Sequence, residues 1–530
     1  MVLLSALAWM LLSFTTSPVA SSALVPELQA EQYFRIQVVD QANGRGVPLV
    51  ELRLVDGTRF FTDSAGVIAF AEPGLMNTEV FFYVTSHGYQ YPKDYFGYRG
   101  LKLTPTAGGK AVIKLQRLNI AERLYRMTGR GIYHHTILLG EEAPLQKPLI
   151  NGLVSGQDSA LAIPYRGKVY WFWGDTSRPA YPLGLFKASG ATSLLPGQGG
   201  LAAEVGVDFD YWVGKDGFCR NMAPIEGPGV VWLDGLQTVN EGPVDGDGER
   251  LADGAAEDVG KERMFAHFTR LRDLGEPLEQ GLALWNDHEQ VFEKVSSLAL
   301  DNPMHAHGAA PFKFVDGGVE YFYFGNPYPN MRVRARLELL SQPEQFEGYT
   351  PLVSGTSFQG TNSALQRDDD GKLVWAWRAN TPPLNPDQQR ELVKAGLLKR
   401  GDSPFRVADA DTGREIMEHH GSVTWNEYRQ KFVMIFGDTF AEESLLGEIY
   451  LAESNRPEGP WTSAKKIISH DHYSFYNVVQ RPFLAEKGGR LIYLEGTYTK
   501  MFSSTQTATP LYDYNQVMYR LDLSDPRLTN

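Results

Sequence analysis

The stretch Gly156-Gln-Asp-Ser-Ala-Leu-Ala-Ile-Pro-Tyr-Arg-Gly-Lys-Val-Tyr-Trp-Phe-Trp-Gly-Asp-Thr176 reads as one β-hairpin. An apolar strand over Ser159–Tyr165 meets an aromatic strand over Lys168–Trp173, and Arg166-Gly167 between them has the form of a two-residue turn. Such a turn fixes the register. Counting outward from it, Tyr165 faces Lys168 and, further along, Asp158 faces Asp175. Two carboxylates opposed on adjacent strands repel, which weakens the sheet and forces one pKa upward. A sheet gains nothing from that arrangement, so the pair points to chemistry. The alternative is a structural pair bonded to loop amides.

The hairpin recurs. Five further pairs share its form: Gly229–Leu233 with Arg263–Phe268, Ala309–Val315 with Val319–Phe324, Ser363–Gln366 with Lys372–Trp377, Ser422–Trp425 with Lys431–Phe436, and Arg481–Ala485 with Arg490–Leu494. Radial repetition of antiparallel units with Gly-rich corners is the pattern of a β-propeller, occupying residues 150–526. Residues 385–398, after the fourth pair, have helical spacing, which favours an insertion over the mouth of a five-bladed ring; a six-bladed ring is the alternative. Upstream, residues 32–117 carry short alternating strands such as Phe34–Val38, Val50–Leu54 and Val80–Val84, the pattern of a small β-sandwich. The fold class expected is therefore all-β: a β-sandwich, a linker over 118–149, and a propeller.

The same register counting applied to the other units brings polar residues to the same strand ends. It pairs His307 with Asn326 about Asp316-Gly317, Thr361 with Asn380 about Asp370-Gly371, and His419 with Asp438 about Tyr428-Arg429. Phe436-Gly-Asp-Thr439 repeats the Trp173-Gly-Asp-Thr176 ending, and Leu494-Glu-Gly-Thr-Tyr498 puts Glu495 at the corresponding place in the last unit. First and last units become neighbours when a ring closes. Asp158, Asp175 and Glu495 are then expected at one mouth, with His307, Asn326, His419, His420 and Asp438 around them as ligand-binding groups.

Composition narrows the partner. The chain has 530 residues, 12% of them aromatic, and a formal net charge of -13 with no offsetting basic run. This argues against nucleic acid and anionic membranes and suits a neutral ligand such as a glycan. The apolar run Val2–Phe14 followed by Ser17-Pro-Val-Ala-Ser-Ser-Ala23 reads as a secretory signal over residues 1–23, although no Lys or Arg precedes it. No other stretch is long and apolar enough to span a membrane. Cys219 is the only cysteine, which excludes an intrachain disulfide and a multi-cysteine zinc site. The expectation is a bacterial periplasmic or extracellular location.

No cofactor or metal is expected. The His305/His307 and His419-His420 pairs are weak metal signals, and Asp245-Gly-Asp-Gly-Glu249 with Asp253 has Arg250 where a calcium loop needs glycine. A calcium ion at the channel mouth stays open as an alternative. Trp171 with Trp173, and Trp375 with Trp377, alternate along their strands and are assigned to packing between blades. The oligomeric state is not legible.

Gly156-Gln-Asp-Ser159 followed by Tyr170-Trp-Phe-Trp-Gly-Asp-Thr176 resembles the first blade of five-bladed propeller glycoside hydrolases, among them bacterial endo-D-arabinanases. The likeness extends loosely to Ala309-Ala-Pro-Phe312 with Tyr323-Phe-Gly325, and to Gly421-Ser-Val-Thr-Trp-Asn426. It covers roughly residues 150–350 and 419–500. It implies hydrolysis of a polysaccharide or oligosaccharide, with Asp158 and Asp175 as the catalytic pair. Residues 355–418 and the histidine positions have no counterpart in that pattern. Residues 32–117 resemble transthyretin-like or carboxypeptidase-regulatory-like modules. A non-catalytic glycan-binding propeller is the competing reading.

Overall fold

A computed structural model describes residues 30–185, 187–240, 262–272, 275–304, 310–441 and 444–528. The expected signal segment, the acidic loop at 245–253 and His305 and His307 lie outside these.

Five sheets make five blades. Blade 1 runs Leu161–Tyr165, Lys168–Trp173, Ser189–Ser193 and Asp210–Tyr211; blade 2 runs Val230–Asn240, Glu262–Arg272, Glu276–Asn286 and Val291–Leu298. Blade 3 holds Phe312–Asp316, Val319–Phe324, Met331–Arg334 and Glu347–Thr350; blade 4 holds Glu418–Asn426, Lys431–Asp438, Ile449–Ser454 and Trp461–Ile468. Blade 5 takes Ser474–Gln480, Leu491–Thr499 and Asn515–Asp522, and its fourth strand is Glu122–Arg126, far upstream, paired antiparallel as Met518↔Tyr125. The ring is thus closed by a strand from the segment expected to be linker, which corrects that boundary.

The core explains why the sheets form a ring. Middle strands such as Lys431–Asp438 and Leu491–Thr499 are buried at nearly every position, so each sheet has two faces to cover. Five separate clusters fill the five gaps. Leu161 and Phe172 pack on Met264 and Phe268; Phe265 and Leu282 on Phe322 and Val333; Phe312 and Phe314 on Val423 and Phe432. Val433 and Ile435 then pack on Phe475 and Ile492, and Tyr493 and Met518 on Trp171 and Trp173. The last contact joins blade 5 to blade 1. Cys219 belongs to it, and burial pushes its thiol up to about 12, where it stays protonated and inert.

The fourth sequence pair forms no blade. Only Ala376–Ala379 joins a sheet, as a fifth strand on blade 3, and Asn380 donates its N–H to Phe346 O (2.9 Å) rather than pairing with Thr361. The rest is an insertion with its own small core of Leu352, Leu384, Leu392 and Leu398 beside the helix Pro386–Lys394. The last pair is corrected too: the inner strand of blade 5 is Ser474–Gln480, and Pro482–Leu484 is a 3₁₀ turn.

Residues 34–117 form a sandwich of two four-stranded sheets, one ordered Val67–Phe70, Phe34–Asp40, Lys110–Arg117, Tyr89–Gln90, the other Arg59–Phe61, Glu51–Arg53, Val80–Thr85, Gly100–Leu103. It is not a detached spacer. Arg123, on the closing strand, is 1% exposed and donates to Pro48 O (3.0 Å), His87 O (3.0 Å) and Ser86 Oγ (2.6 Å) of the sandwich. Tyr512 of blade 5 donates to Thr62 O (2.7 Å) and accepts from Leu49 N–H (3.2 Å). A buried guanidinium is tolerated only with such a full set of acceptors.

Candidate active site

Blade 1 holds the same register on both sides of an interruption in its ladder. Leu161↔Phe172 and Tyr165↔Lys168 pair as counted from the turn, and Gln157↔Thr176 continues the series beyond the two acids. Asp158 N–H donates to Asp175 O (3.3 Å), and Gly174 N–H donates to Asp158 O (3.1 Å). The acids are therefore opposed. A Cβ at Gly174 would lie 2.5 Å from Asp158 Oδ1, so a larger residue there would turn that carboxylate away. The Asp158 carboxylate rests on bare backbone.

The two environments differ. Asp158 is enclosed, and burial raises its pKa; against that act the hydroxyls of Tyr476 (2.8 Å to Oδ2), Tyr514 and Ser159, and the Asp175 N–H, all donors that favour its charged form. Asp175 has one such neighbour, the indole of Trp232, and is pushed up to about 7 by burial first and by the charge of Asp158 second. The pair thus shares a proton near neutral pH. The hydroxyls direct the negative charge to Asp158, and the proton falls to Asp175.

Three other blades interrupt their inner strands by a common device. The inner strand of blade 2 slips between Asp234 and Gln237, that of blade 4 between Glu418 and Gly421, and that of blade 5 between Tyr476 and Val479. Each is a β-bulge, which re-aims side chains and ends regular pairing. Gly235 (φ 60°) and Asn477 (φ 53°) adopt the left-handed conformation at the breaks in blades 2 and 5, and Ser159 (φ 53°) does so in blade 1, between the paired stretches Gly156–Gln157 and Leu161–Tyr165. The result brings Asp234 within electrostatic reach of His420, while burial lowers the pKa of that histidine. His419 stacks on it at 4.3 Å between ring centroids and is pushed down to about 3, by burial first and His420 second. Both rings are neutral at pH 7, suited to hydrogen bonding.

Tyr514 arrives from the loop before the third strand of blade 5. Its carbonyl accepts from Gln157 N–H (2.8 Å), and its hydroxyl bonds Asp158. Two residues upstream, Tyr512 is the side chain anchored in the sandwich. Asn477 Nδ2 donates to Ser159 Oγ (2.6 Å), and Ser159 N–H donates to Thr497 Oγ1 (3.1 Å), which completes the join between blades 5 and 1.

Three expected site residues are placed elsewhere. Glu495 lies two residues deeper than Thr497, is 1% exposed, and accepts from Arg481 Nε (2.7 Å); Arg481 also donates to Ala160 O (2.6 Å). It is an interior ion pair between blades, not a third acid at the mouth. Asp438 is fully buried, ion-paired with Arg414 and bonded by Phe440 N–H (3.1 Å); the bulge makes it face Glu418, not His419. The turn of blade 3 is Gly317-Gly318, not Asp316-Gly317, so the register from which the Asn326 pairing was counted does not hold. Asn326 is exposed, and its Oδ1 accepts from Gly421 N–H (3.4 Å) beside His420.

Trp232, Asp234, Tyr476 and Tyr514 went unseen in the sequence. Only Asp234-Gly235 left a signal: glycine inside a strand marks a bulge. Among the described residues no group of three or more His, Cys, Asp or Glu is arranged to hold a metal ion, and no helix is long and apolar enough to cross a membrane.

The fold and mouth define a five-bladed propeller with an opposed carboxylate pair. No family model and no curated protein sequence matches the chain. Solved structures do. An exo-1,5-α-L-arabinanase from a bovine ruminal metagenomic library aligns over 69% of this chain and 93% of its own at 9% identity, TM-score 0.32. A thermostable family-43 glycoside hydrolase aligns over 69% and 88% at 10% identity, TM-score 0.30. The GH43_1 enzyme from Xanthomonas citri complexed with xylotriose aligns over 69% and 86% at 10% identity, TM-score 0.31. The ring described above rests on strand pairing and core contacts alone.

Proposed function

We propose that the protein is a glycoside hydrolase in which Asp158 is the carboxylate that activates water and Asp175 holds the proton offered to the leaving oxygen. The observation that carries this is the asymmetry of the pair: hydroxyl donors crowd Asp158, while Asp175 is pushed up to about 7. A base and an acid coexisting at neutral pH are what glycosidic cleavage requires. Neutral His419 and His420, with Asp234, supply donors and acceptors for sugar hydroxyls around the mouth. The resemblance of the first hairpin to propeller glycoside hydrolases supports the same reading.

Release of reducing sugar from arabinans, galactans and sulfated algal glycans tests it. Asp158→Asn and Asp175→Asn should each lower turnover by about 10²–10⁴-fold, the usual weight of a positioned acid or base. If wild type and Asp158→Asn are equally inert while both bind glycan, the enzyme reading is lost and a glycan-binding propeller stands in its place. The same proposal puts the protein in the periplasm or outside the cell, exported through residues 1–23. N-terminal sequencing of secreted material, with a start between Ser21 and Leu24, checks that.

A further inference from the structure

The insertion on blade 3 creates a cavity of about 510 Å³ at its edge. Its walls come from both parts: Phe324, Asn326 and Asn330 from the blade, and Phe358, Asn385 and Gln388 from the insertion. We propose that this cleft is a second glycan-binding site, taking a neutral sugar unit of a chain that also occupies the mouth. The proposal rests on the glycan reading of the mouth and extends it to a place where the sequence likeness ends.

The lining carries the argument. None of the 14 residues around the cavity is charged, although 21% of the chain is, so about three would be expected by composition. The contrast is internal to the protein: the cavity of about 500 Å³ beside blade 1 is lined by Lys147, Lys168, Asp208 and Asp210 among others. Five of the 14 residues in the insertion cleft are Asn or Gln. Several of their carbonyl oxygens are already engaged by backbone N–H groups: Asn326 by Gly421 (3.4 Å), Asn385 by Gln388 (2.9 Å), Gln388 by Asn385 (3.0 Å) and Asn302 by Met304 (3.0 Å). What those side chains offer a ligand is the amide NH₂, a neutral donor suited to hydroxyl and ring oxygens. Phe358, half-buried on the insertion side, adds apolar surface for the C–H face of a sugar ring. A cavity with apolar walls and a few placed polar groups is the usual form of a small-ligand site.

One wall of the cleft also lies beside a residue of the mouth. Asn326 follows the end of the second strand of blade 3, the position Asp175 holds in blade 1. The backbone N–H that Asn326 accepts belongs to Gly421, next to His420, which lies within electrostatic reach of Asp234 in the mouth. His420, Gly421 and Asn326 therefore link Asp234 to the wall of the cleft.

Calorimetric titration of the Asp158→Asn protein with neutral arabino- and galacto-oligosaccharides, and with sulfated galactan fragments, tests this without requiring turnover. Neutral hexamers should bind more tightly than dimers, and Asn330→Leu and Phe358→Ala should each weaken the hexamer about tenfold, bringing it toward the dimer. Asn330→Leu guards against the chance that Phe358→Ala disturbs the Leu352–Leu392 core, and an unchanged unfolding midpoint confirms the fold. The proposal is overturned if no neutral oligosaccharide binds, if hexamer affinity ignores both substitutions, or if sulfated fragments compete for the cleft as well as neutral ones. Hydrolysis by wild type with no dependence on the cleft defeats this inference alone. Cleft binding without hydrolysis defeats only the assignment of an enzyme.

Discussion

Tyr476→Phe tests how the acid pair divides its charge. The hydroxyl of Tyr476 donates to Asp158 Oδ2 at 2.8 Å, a bond made to the ionised form. Hydrogen bonds to charged groups contribute about 1.5–3 kcal/mol, which corresponds to about 1–2 pH units. Removing the donor disfavours the Asp158 carboxylate, so the first proton leaves the pair at higher pH. The second ionisation changes little, because the states before and after it both contain charged Asp158. The lower limb of the kcat/KM profile should therefore rise by about 1–2 units while the upper limb, set by Asp175 near about 7, stays in place. At pH values below the lower limb the loss reaches about 10–100-fold and shrinks as pH rises. Kinetics across pH 3–9 on a soluble substrate, with ¹³C-carboxyl NMR titration of the resting protein, give two independent readouts. A uniform drop in rate with both limbs fixed refutes the reasoning, since Tyr476 would then shape the mouth without setting its charge.

Three further outcomes follow from the same geometry. Glu495→Gln leaves Arg481, 3% exposed, without its counter-charge and should cost about 3–5 kcal/mol in urea unfolding; a stable variant with a displaced pH limb would return Glu495 to the mouth. Tyr512→Phe removes the bonds to Thr62 O and Leu49 N–H and frees the loop whose Tyr514 hydroxyl also donates to Asp158, so it should reproduce in smaller measure the pH shift of Tyr476→Phe; an unchanged profile separates the sandwich from the site. His470 is buried against His87 and Tyr519, and burial pushes it down to about 3, so its contribution to stability is full above about pH 6.5 and is lost as pH falls. At pH 5 the loss is about 2 kcal/mol, and His470→Phe should flatten the urea midpoint against pH over that range.

The opposed acids were legible because their hairpin turn permits one register. Arg166 (φ 46°) and Gly167 (φ 79°) both take the left-handed conformation that a two-residue turn demands. Blade 3 offered two turns, Asp316-Gly317 and Gly317-Gly318. The chain uses the second, since Gly317 (φ 60°) and Gly318 (φ 86°) adopt positive φ without a side-chain penalty, and the Asn326 pairing moved with it. In blade 4 the turn was counted correctly, as Asn426↔Lys431 shows, but the bulge at His419-His420 inserts a residue before Asp438 is reached. Nothing in a local pattern announces that insertion.

Ring closure hid more than the bulges did. Tyr476 and Tyr514 meet Asp158 only because Glu122–Arg126 joins blade 5 and brings the two ends of the propeller together. That strand reads as linker because both its faces are covered: Glu122–Arg126 is buried at every position, so it lacks the alternation that marks a half-exposed strand. The bulges and the closure act on the same part of each blade. Below the bulge, inter-blade packing dictates which face each side chain takes, and Glu495 obeys it by pairing with Arg481 in the interior. Above it, Asp234, His420 and Tyr476 are released from that alternation, and Asp158 lies where the ladder of blade 1 is interrupted, which is why the polar residues of the mouth could gather there without opening the core.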